Sequence, residues 1–258
     1  MPGELAVYLA RVVGANVNEL ALFAGAGGGI LGGHLLGWRT VCAVEWEPYA
    51  ACVLVARQND GVLPPFPIWD DIQTFDGQPW RGIVDVVSGG FPCQDISAAG
   101  KGAGIDGARS SMWRHMARIV SEVRPRFVFV ENSPLLVGRG LAVVLGDLAA
   151  MGFDVQWACV SAGNLGAPHM RDRVWLVGYP SGIGLQEGHL GLRQQLEEWK
   201  EPPGAWNGRR LDQPGIVGVV DGLANWMDRL KAAGNGQVPR VAAAAFAGLA
   251  DRHATSSV

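Results

Sequence analysis

The stretch ELALFAGAGGGILGG, residues 19–33, decides the fold class of this chain. Its first five residues predict a strand, and the glycines that follow predict a tight turn that opens a helix. Glycines at such a turn let a ligand approach the backbone closely, and a helix N-terminus offers N–H groups that have no partner within the helix. The stretch therefore favours an α/β fold with a ligand at this turn.

Working outward from this turn, strands and helices alternate along the chain. This alternation predicts a mostly parallel sheet with helices on both faces, and ligands in such sheets bind at the carboxyl ends of the strands. A proline-rich loop is predicted over 63–72. The predicted strands are 19–23, 40–46, 83–90, 126–132, 154–162 and 173–178, and the predicted helices are 4–14, 30–38, 48–60, 110–123, 140–152 and 238–254.

Composition narrows the class of protein. The chain has 258 residues, of which 48% are hydrophobic and 17% charged, which is typical of a globular protein and excludes overall disorder. A net charge of −3 excludes a generally basic nucleic-acid-binding surface, so any such surface must be local. The four cysteines form no CxxC pair, and no apolar run is long enough to span a membrane. We therefore expect a soluble intracellular protein with no metal site.

The glycine turn and the next strand together predict a nucleoside-containing cofactor. That strand ends in Glu45-Trp46-Glu47, and a carboxylate at this place can accept both hydroxyls of a ribose. Gly27, Gly29 and Gly32 match the dinucleotide pattern GxGxxG, while S-adenosylmethionine is the other class of cofactor that fits. A tight turn with no ligand is the remaining alternative.

A second candidate site follows two later strands. Cys93 lies in the loop GGFPCQ after one strand, and Glu131 ends the next. Neighbouring parallel strands lie about 5 Å apart, so both side chains are expected in one pocket. A thiolate beside a carboxyl group suits nucleophilic attack on an electron-poor ring with proton donation to a ring nitrogen. The other cysteines, Cys42, Cys52 and Cys159, fit small core residues.

With these residues in place, the chain resembles the DNA (cytosine-5) methyltransferases, nearest to compact versions carried by bacteria and their viruses. The resemblance rests on LFAGAGG, GGFPCQ, EN, APHMRDR and GNGQVP, which occur in the family's order. It implies a Rossmann-like S-adenosylmethionine-dependent methyltransferase sheet with a small irregular target-recognition region. It also implies a restriction-modification type of activity in the cytoplasm of a bacterial or phage-infected cell, by a monomer that methylates a flipped cytosine in double-stranded DNA.

The resemblance implies roles for individual residues. Cys93 would attack C6 of cytosine, Glu131 would interact with N3, and Arg171 and Arg173 would hold the flipped base and its phosphates. Glu45 would hold the ribose of S-adenosylmethionine, with Trp46 packed on its adenine and Asp71 at the adenine amino group. The implied cofactor-binding set is Phe23, Ala24, Gly25, Ala26, Gly27, Gly28, Glu45, Trp46, Asp71, Ile72 and Asn235, and the implied DNA-binding set is Ser97, Lys101, Arg109, Arg209 and Arg210.

The resemblance also divides the chain. Residues 1–178 and 230–258 would form the catalytic domain, and residues 179–229 the recognition region, which is shorter than is usual in the family and so predicts a short or degenerate target. The segment 92–126 carries six basic and three acidic residues, which predicts a local face for phosphates. Ala21 stands where the family often has Asp, and His169 where it often has Gln. A catalytically inactive DNA-binding relative and a nicotinamide-dependent oxidoreductase are the alternatives.

Overall fold

The computed structural model describes residues 16–92, 111–167, 169–182, 197, 200 and 236–250. The predicted helix over 4–14 and the loop that carries Cys93 lie outside these residues, as does nearly all of the region 179–229. The six predicted strands and five of the six predicted helices fall largely within them.

The strands form one seven-stranded sheet. Their bounds are β1 Asn18–Leu22, β2 Arg39–Val44, β3 Ile68–Trp69, β4 Val86–Gly89, β5 Phe127–Asn132, β6 Phe153–Ser161 and β7 Asp172–Pro180. The order across the sheet is β3-β2-β1-β4-β5-β7-β6, and pairing is parallel from β3 to β5. β7 runs antiparallel to both of its neighbours, β5 and β6. The predicted mostly parallel α/β sheet is confirmed.

Helices connect these strands. Their bounds are α1 Gly28–Leu35, α2 Pro48–Asn59, α3 Ser111–Val123, α4 Leu136–Arg139, α5 Leu141–Ala150 and α6 Pro239–Leu249. α1 begins directly after Gly27, whose φ of 88° lies in the left-handed region that glycine adopts without strain. Pro48 and Pro239 stand in the first turns of α2 and α6, where the missing N–H would have no partner within the helix.

The proline-rich segment 63–72 holds a strand that the sequence did not predict. Ile68 and Trp69 form β3 and pair with Ala43 and Val44 of β2. Two residues between prolines and aspartates give no alternating pattern, so the strand exists only because the edge of β2 is there to pair with it. Because β3 pairs with β2, residues 69–72 lie beside the end of β2.

The expectation that Cys52 and Cys159 are core residues is wrong. Cys42 is buried, whereas Cys52 and Cys159 are exposed. The segment that forms α2 is apolar on several faces, and its buried face is set by Ala50 and Leu54 rather than by Cys52. Cys159 lies on β6, the edge strand, where alternate side chains face outward.

The core lies on both faces of the sheet, because alternate residues of each strand point to opposite sides. In β5, Phe127 and Phe129 pack with α6 on one face, and Val128 and Val130 pack with α3 and α5 on the other. The helices predicted on both faces are thereby confirmed. This arrangement leaves the carboxyl ends of β1, β2, β4 and β5 at one edge of the sheet.

Candidate active site

The glycine turn after β1 is held in an unusual backbone conformation. Phe23 has a φ of 52° and Gly25 a φ of 55°, both in the left-handed region. For a residue with a side chain, such as Phe23, this conformation carries a cost and is found most often at functional sites. A Cβ built on Gly25 would meet no atom within 4 Å, so the space in front of the turn is open.

Glu45, at the end of β2, is tied to this turn. Its carboxylate accepts a hydrogen bond of 2.6 Å from the backbone N–H of Gly25 and another of 2.7 Å from that of Glu47. Burial raises the pKa of Glu45, and the two backbone donors oppose that rise. The carboxyl group is thus fixed at the edge of the open space rather than pointing into solvent.

Two further predicted cofactor positions lie next to Glu45. The N–H of Glu45 donates to the carbonyl of Trp69 at 2.9 Å, which holds the segment that contains Asp71 and Ile72 beside the end of β2. Ile72 is buried, and the side chain of Trp46 is 68% exposed. The structure therefore groups these residues near one end of the turn, where the ring of Trp46 is exposed.

The approach to Cys93 is described up to Pro92. The side-chain amide of Asn132, at the end of β5, donates to the carbonyl of Phe91 at 3.0 Å. This bond fixes the segment after β4 against the end of β5, as the parallel pairing of the two strands requires. Cys93 itself, with Ser97, Lys101, Arg109, Arg209, Arg210 and Asn235, lies outside the described residues.

Glu131 is buried and sits in a cluster of polar groups. Its Oε1 lies 2.6 Å from Nε of Arg173 on β7. Burial raises the pKa of the Glu131 carboxyl, while the charges of Arg173 and Arg171 and a hydrogen bond from the side chain of Gln237 lower it. Glu131 therefore carries opposing influences on its protonation, a setting that is typical of functional carboxyl groups.

Arg171 contacts the segment that precedes α6. Its Nη2 donates to the carbonyl of Gly236 at 2.6 Å, just before α6. Burial lowers the pKa of Arg171, and the nearby charge of Arg173 lowers it further. Both arginines act electrostatically on Glu131, and Arg171 also joins β7 to the segment before α6.

The glycine turn and the buried acid line one cleft at this edge of the sheet. Its walls include the glycine turn at Phe23 and Gly25, the end of β4 at Gly89, and Glu131 with Gln237. The cleft thus joins the turn after β1 to the buried acid at the end of β5. Glu131 lies in this cleft, whereas Cys93, which the sequence predicts in the same pocket, lies outside the described residues.

Two residues of the cleft were missed by the sequence argument. Glu19 on β1 is buried, and its carboxylate accepts hydrogen bonds of 2.6 Å from Ser88 Oγ and 2.8 Å from Thr40 Oγ1. A charged residue at the start of an apolar central strand is a signal that could have drawn attention to Glu19, although it does not predict its partners. Gln237 stood unremarked inside the GNGQVP segment, and nothing in its residue type marked it out.

Of the basic residues predicted to form a face over 92–126, the structure describes four: Arg114, Arg124 and Arg126 are exposed, and Arg118 is partly buried. The Arg118 guanidinium pairs with Glu122 at 2.8 Å and donates to the carbonyls of Ile72 and Phe75. It therefore anchors the segment after β3 instead of presenting charge to phosphates. Arg124 donates to the carbonyl of Met151 and Arg126 lies over the ring of Phe127, and both residues stay exposed, so the basic face remains a prediction.

The described part of the chain shows neither a metal-binding cluster nor a membrane-spanning helix. Among its residues, no group of three or more His, Cys, Asp or Glu side chains is placed to hold a metal ion. Its helices are also each too short or too polar to cross a membrane.

Comparison with protein families gives one match over most of the chain. Residues 17–203 match the family described as C-5 cytosine-specific DNA methylase. Among curated proteins, the Type II methyltransferase M.PspPI of Psychrobacter sp. is 34% identical over 181 residues, which cover 68% of this chain and 41% of that protein. M.NgoBI of Neisseria gonorrhoeae is 32% identical over 170 residues, covering 64% and 51%. The chain thus spans about half the length of these relatives.

Solved structures show the same fold at lower identity. Dnmt2 methyltransferase of S. pombe is 19% identical, with a TM-score of 0.55 over 69% of this chain and 54% of that one. A mutant of DNMT2 from Spodoptera frugiperda is 19% identical, with a TM-score of 0.54 over 66% and 52%. These matches support the sheet described above.

Proposed function

Since the chain belongs to the C-5 cytosine-specific DNA methylase family, we propose that it transfers a methyl group from S-adenosylmethionine to C5 of a cytosine in double-stranded DNA. The observation that carries the proposal is the cleft that joins the glycine turn to Glu131. The segment leading to Cys93 is bound to the neighbouring strand end through Asn132 and Phe91. A cofactor, a nucleophile and an acid can therefore act on one base.

The residues at the turn fit S-adenosylmethionine. Open space lies before Gly25, Glu45 is held at its edge to accept ribose hydroxyls, and the exposed ring of Trp46 can stack on adenine. Asp71 and Ile72 complete this end, and Phe23, Ala24, Ala26, Gly27 and Gly28 form the turn itself. When bound, this cofactor supplies an electrophilic methyl group.

One contact argues against a nicotinamide dinucleotide. A pyrophosphate would bind at the N-terminus of α1, where unpaired N–H groups face the ligand. There the backbone carbonyl of Gln237 lies so close to Gly28 that a Cβ on Gly28 would overlap it. The chain's own C-terminal segment covers the first turn of α1, which leaves room for a cofactor without pyrophosphate.

The proposed chemistry assigns a step to each group. Cytosine C5 is a poor nucleophile, so the thiolate of Cys93 first bonds to C6, and Glu131 donates a hydrogen bond or a proton to N3 to stabilise the developing charge. A carboxyl whose pKa is raised by burial is suited to hold that proton. C5 then accepts the methyl group, a base removes the C5 proton, and Cys93 leaves.

The base must leave the DNA stack for this reaction, as it does in methyltransferases generally. We propose that Arg171 and Arg173 hold the flipped base and its phosphates from the side of β7. Ser97, Lys101, Arg109, Arg209 and Arg210 are proposed as DNA contacts on sequence grounds.

The division of the chain follows the same proposal. The sheet ends with β7 at Pro180, and the chain is back in the core at α6, which supports 179–229 as a recognition region between two parts of a catalytic domain. Asn235 would close the cofactor pocket just before α6. We propose a monomer acting in the cytoplasm, with a short or degenerate target. The similarity to bacterial Type II methyltransferases supports a restriction-modification context.

Methylation of DNA in cells tests the proposal directly. The protein is expressed in bacteria that lack cytosine methylation, and their DNA is sequenced after bisulfite treatment. We expect methylated cytosines at a short recurring target, and none with Cys93→Ala. A protein that binds DNA but leaves every cytosine unmethylated would be the inactive relative.

A covalent trap tests the route. With DNA that contains 5-fluorocytosine, C5 carries fluorine and cannot lose a proton, so the bond between Cys93 and C6 should persist. We expect a denaturation-resistant complex of protein and DNA that requires S-adenosylmethionine. Methylation without such a complex would contradict the covalent step.

A further inference from the structure

Gln237 lies where the glycine turn, the end of β4 and Glu131 meet. A Cβ on Gly29 would lie 2.5 Å from the Gln237 Oε1, and a Cβ on Gly90 would lie 3.2 Å from its Nε2. The same Cβ on Gly90 would lie 2.5 Å from Oε2 of Glu131. The side chain of Gln237 therefore crosses the cleft from α1 to the buried acid, with glycines on its path.

This side chain is anchored at its base. The carbonyl of Gly236 accepts a hydrogen bond of 2.6 Å from Arg171, and the backbone of Gln237 packs on Gly28. Pro239 and α6 follow at once and are held in the core. An amide mounted between two such anchors loses little freedom when it makes a hydrogen bond, so it is preorganised.

Glu131 is thus contacted from two directions. Arg173 holds Oε1 at 2.6 Å, and the Gln237 amide donates to the same carboxyl group. We propose that Gln237 is a positioning residue for Glu131, because its amide fixes the orientation of the carboxyl group that Arg173 holds from the other side. The C-terminal segment then serves the acid as well as the cofactor pocket.

The contact has a predictable electrostatic effect. An amide that donates to a carboxylate stabilises the charged form, so Gln237 lowers the pKa of Glu131 against the rise that burial causes. Removing the amide should raise that pKa further. The catalytic meaning of this shift rests on the proposed function, whereas the contact and its effect on the pKa do not.

Titration of the free protein tests the contact. The carboxyl carbon of Glu131 is followed by NMR in protein carrying ¹³C-labelled glutamate, and its signal is assigned by its loss in Glu131→Gln. In Gln237→Met, which keeps the length of the side chain without its donor, we expect the midpoint to move to higher pH. In Gln237→Glu, a second carboxyl beside Glu131 should move it further in the same direction. Gln78→Met makes the same change at an exposed position and should leave the midpoint in place.

Kinetics separate positioning from cofactor binding. We expect kcat of Gln237→Met to fall by roughly tenfold, the equivalent of one lost hydrogen bond, with the pH profile displaced in the direction of the NMR midpoint. The Kd of S-adenosylmethionine should stay within about twofold of that of the parent, since the amide is assigned to the acid. An NMR midpoint that does not move would overturn the inference, whether or not cofactor binding weakens. If the parent protein does not methylate DNA at all, the proposed function fails, while the titration still decides the role of Gln237.

Discussion

Cys42 shows the setting of a structural cysteine in this fold. It is 2% exposed, its thiol donates to the carbonyl of Ala43, and burial raises its pKa to about 11. At neutral pH such a group stays protonated and unreactive, because the thiolate is the nucleophile. A reactive cysteine needs a setting that favours the thiolate. The sequence indicates a less buried setting for Cys93, because this residue follows β4 in a loop.

Matched substitutions of these two cysteines should separate their roles. Cys93→Ala should reduce methyl transfer below detection while the free energy of unfolding stays within about 0.5 kcal/mol of the parent. Cys42→Ala should keep methyl transfer and lower the free energy of unfolding by about 1–2 kcal/mol, because it leaves a small cavity. The measurements are incorporation of labelled methyl groups into DNA and urea denaturation. Methyl transfer by Cys93→Ala would contradict the assignment of the nucleophile.

Glu19 is the other residue whose setting has a measurable consequence. Burial raises its pKa to about 7 from an ordinary value of 4.5, although hydrogen bonds from Ser88 and Thr40 oppose the rise. The folded protein therefore binds this proton more tightly than the unfolded chain between these two pH values. For this group, stability is greatest below about pH 4.5, falls as pH rises toward 7, and is then constant, a change of up to about 3 kcal/mol.

Glu19→Gln should remove that component of the pH dependence. The amide keeps the shape of the side chain and can bond both hydroxyls, so the fold should be retained. We expect the variant to gain stability relative to the parent as the pH is raised from 5 to 7.5. Urea denaturation across this range measures the difference, and parallel stability curves for the two proteins would show that Glu19 does not titrate there.

At the scale of elements, the contact between α1 and α6 explains a glycine inside a helix. A Cβ on Gly32 of α1 would lie 2.8 Å from the Cβ of Ala242 and 3.0 Å from the carbonyl of Pro239. Glycine weakens a helix by about 1 kcal/mol relative to alanine, so its presence here is offset by the close approach of the two helices. The close packing of α1 on α6 places residues 236–238 against the glycine turn.

Alanine at two helical glycines should therefore have opposite effects. Gly32→Ala should lower the free energy of unfolding by about 1–2 kcal/mol, because overpacking against α6 outweighs the gain in helix propensity. Gly146→Ala, on the exposed side of α5 with no atom within 4 Å of a Cβ, should raise it by about 0.5–1 kcal/mol. Urea denaturation measures both changes, and a similar gain from both variants would mean that α6 does not press on α1.

The accuracy with which helices and strands can be predicted from the sequence also differs between elements. Long apolar segments with glycine or proline at their ends, such as those of β1, β5 and α2, were predicted from sequence to within about two residues. The two residues of β3 were not, since only their partner strand makes them a strand. The antiparallel direction of β7 likewise depends on how the chain returns across the sheet, which no local pattern records.

At the scale of the whole molecule, the sequence placed the cofactor turn and Glu131 at the same edge of the sheet, because parallel strands share the direction of their ends. It could not place Gln237 or Glu19, whose roles depend on contacts between residues far apart in the chain. Gln237 meets Glu131 from more than 100 positions away, and Glu19 meets Ser88 across the β1–β4 pair. Such contacts follow from the fold, so they are found only once the fold is known.

The last helix shows how far this dependence on distant contacts extends. Phe246 of α6 packs edge-on against Trp38, Phe127 and Phe129, with ring centroids 4.5–5.6 Å apart. The run from Val241 to Ala250 is buried, and all of these residues except Gly248 belong to the core cluster on one face of the sheet. The core of residues 16–182 is thus completed by a segment from the other end of the chain.

A chain that ends at residue 235 should therefore fail to reach the native state. Loss of α6 would expose the apolar face of β5 and α1, and we expect an insoluble protein or one that has lost its near-ultraviolet circular dichroism while keeping helical signal. A chain that ends at residue 250 retains α6 and serves as the control, with the parent's spectrum and a single unfolding transition in urea. Phe246→Ala should lie between the two, folded but less stable by about 3–5 kcal/mol. A soluble chain ending at 235 with the parent's near-ultraviolet spectrum and cooperative unfolding would show that the core closes without α6.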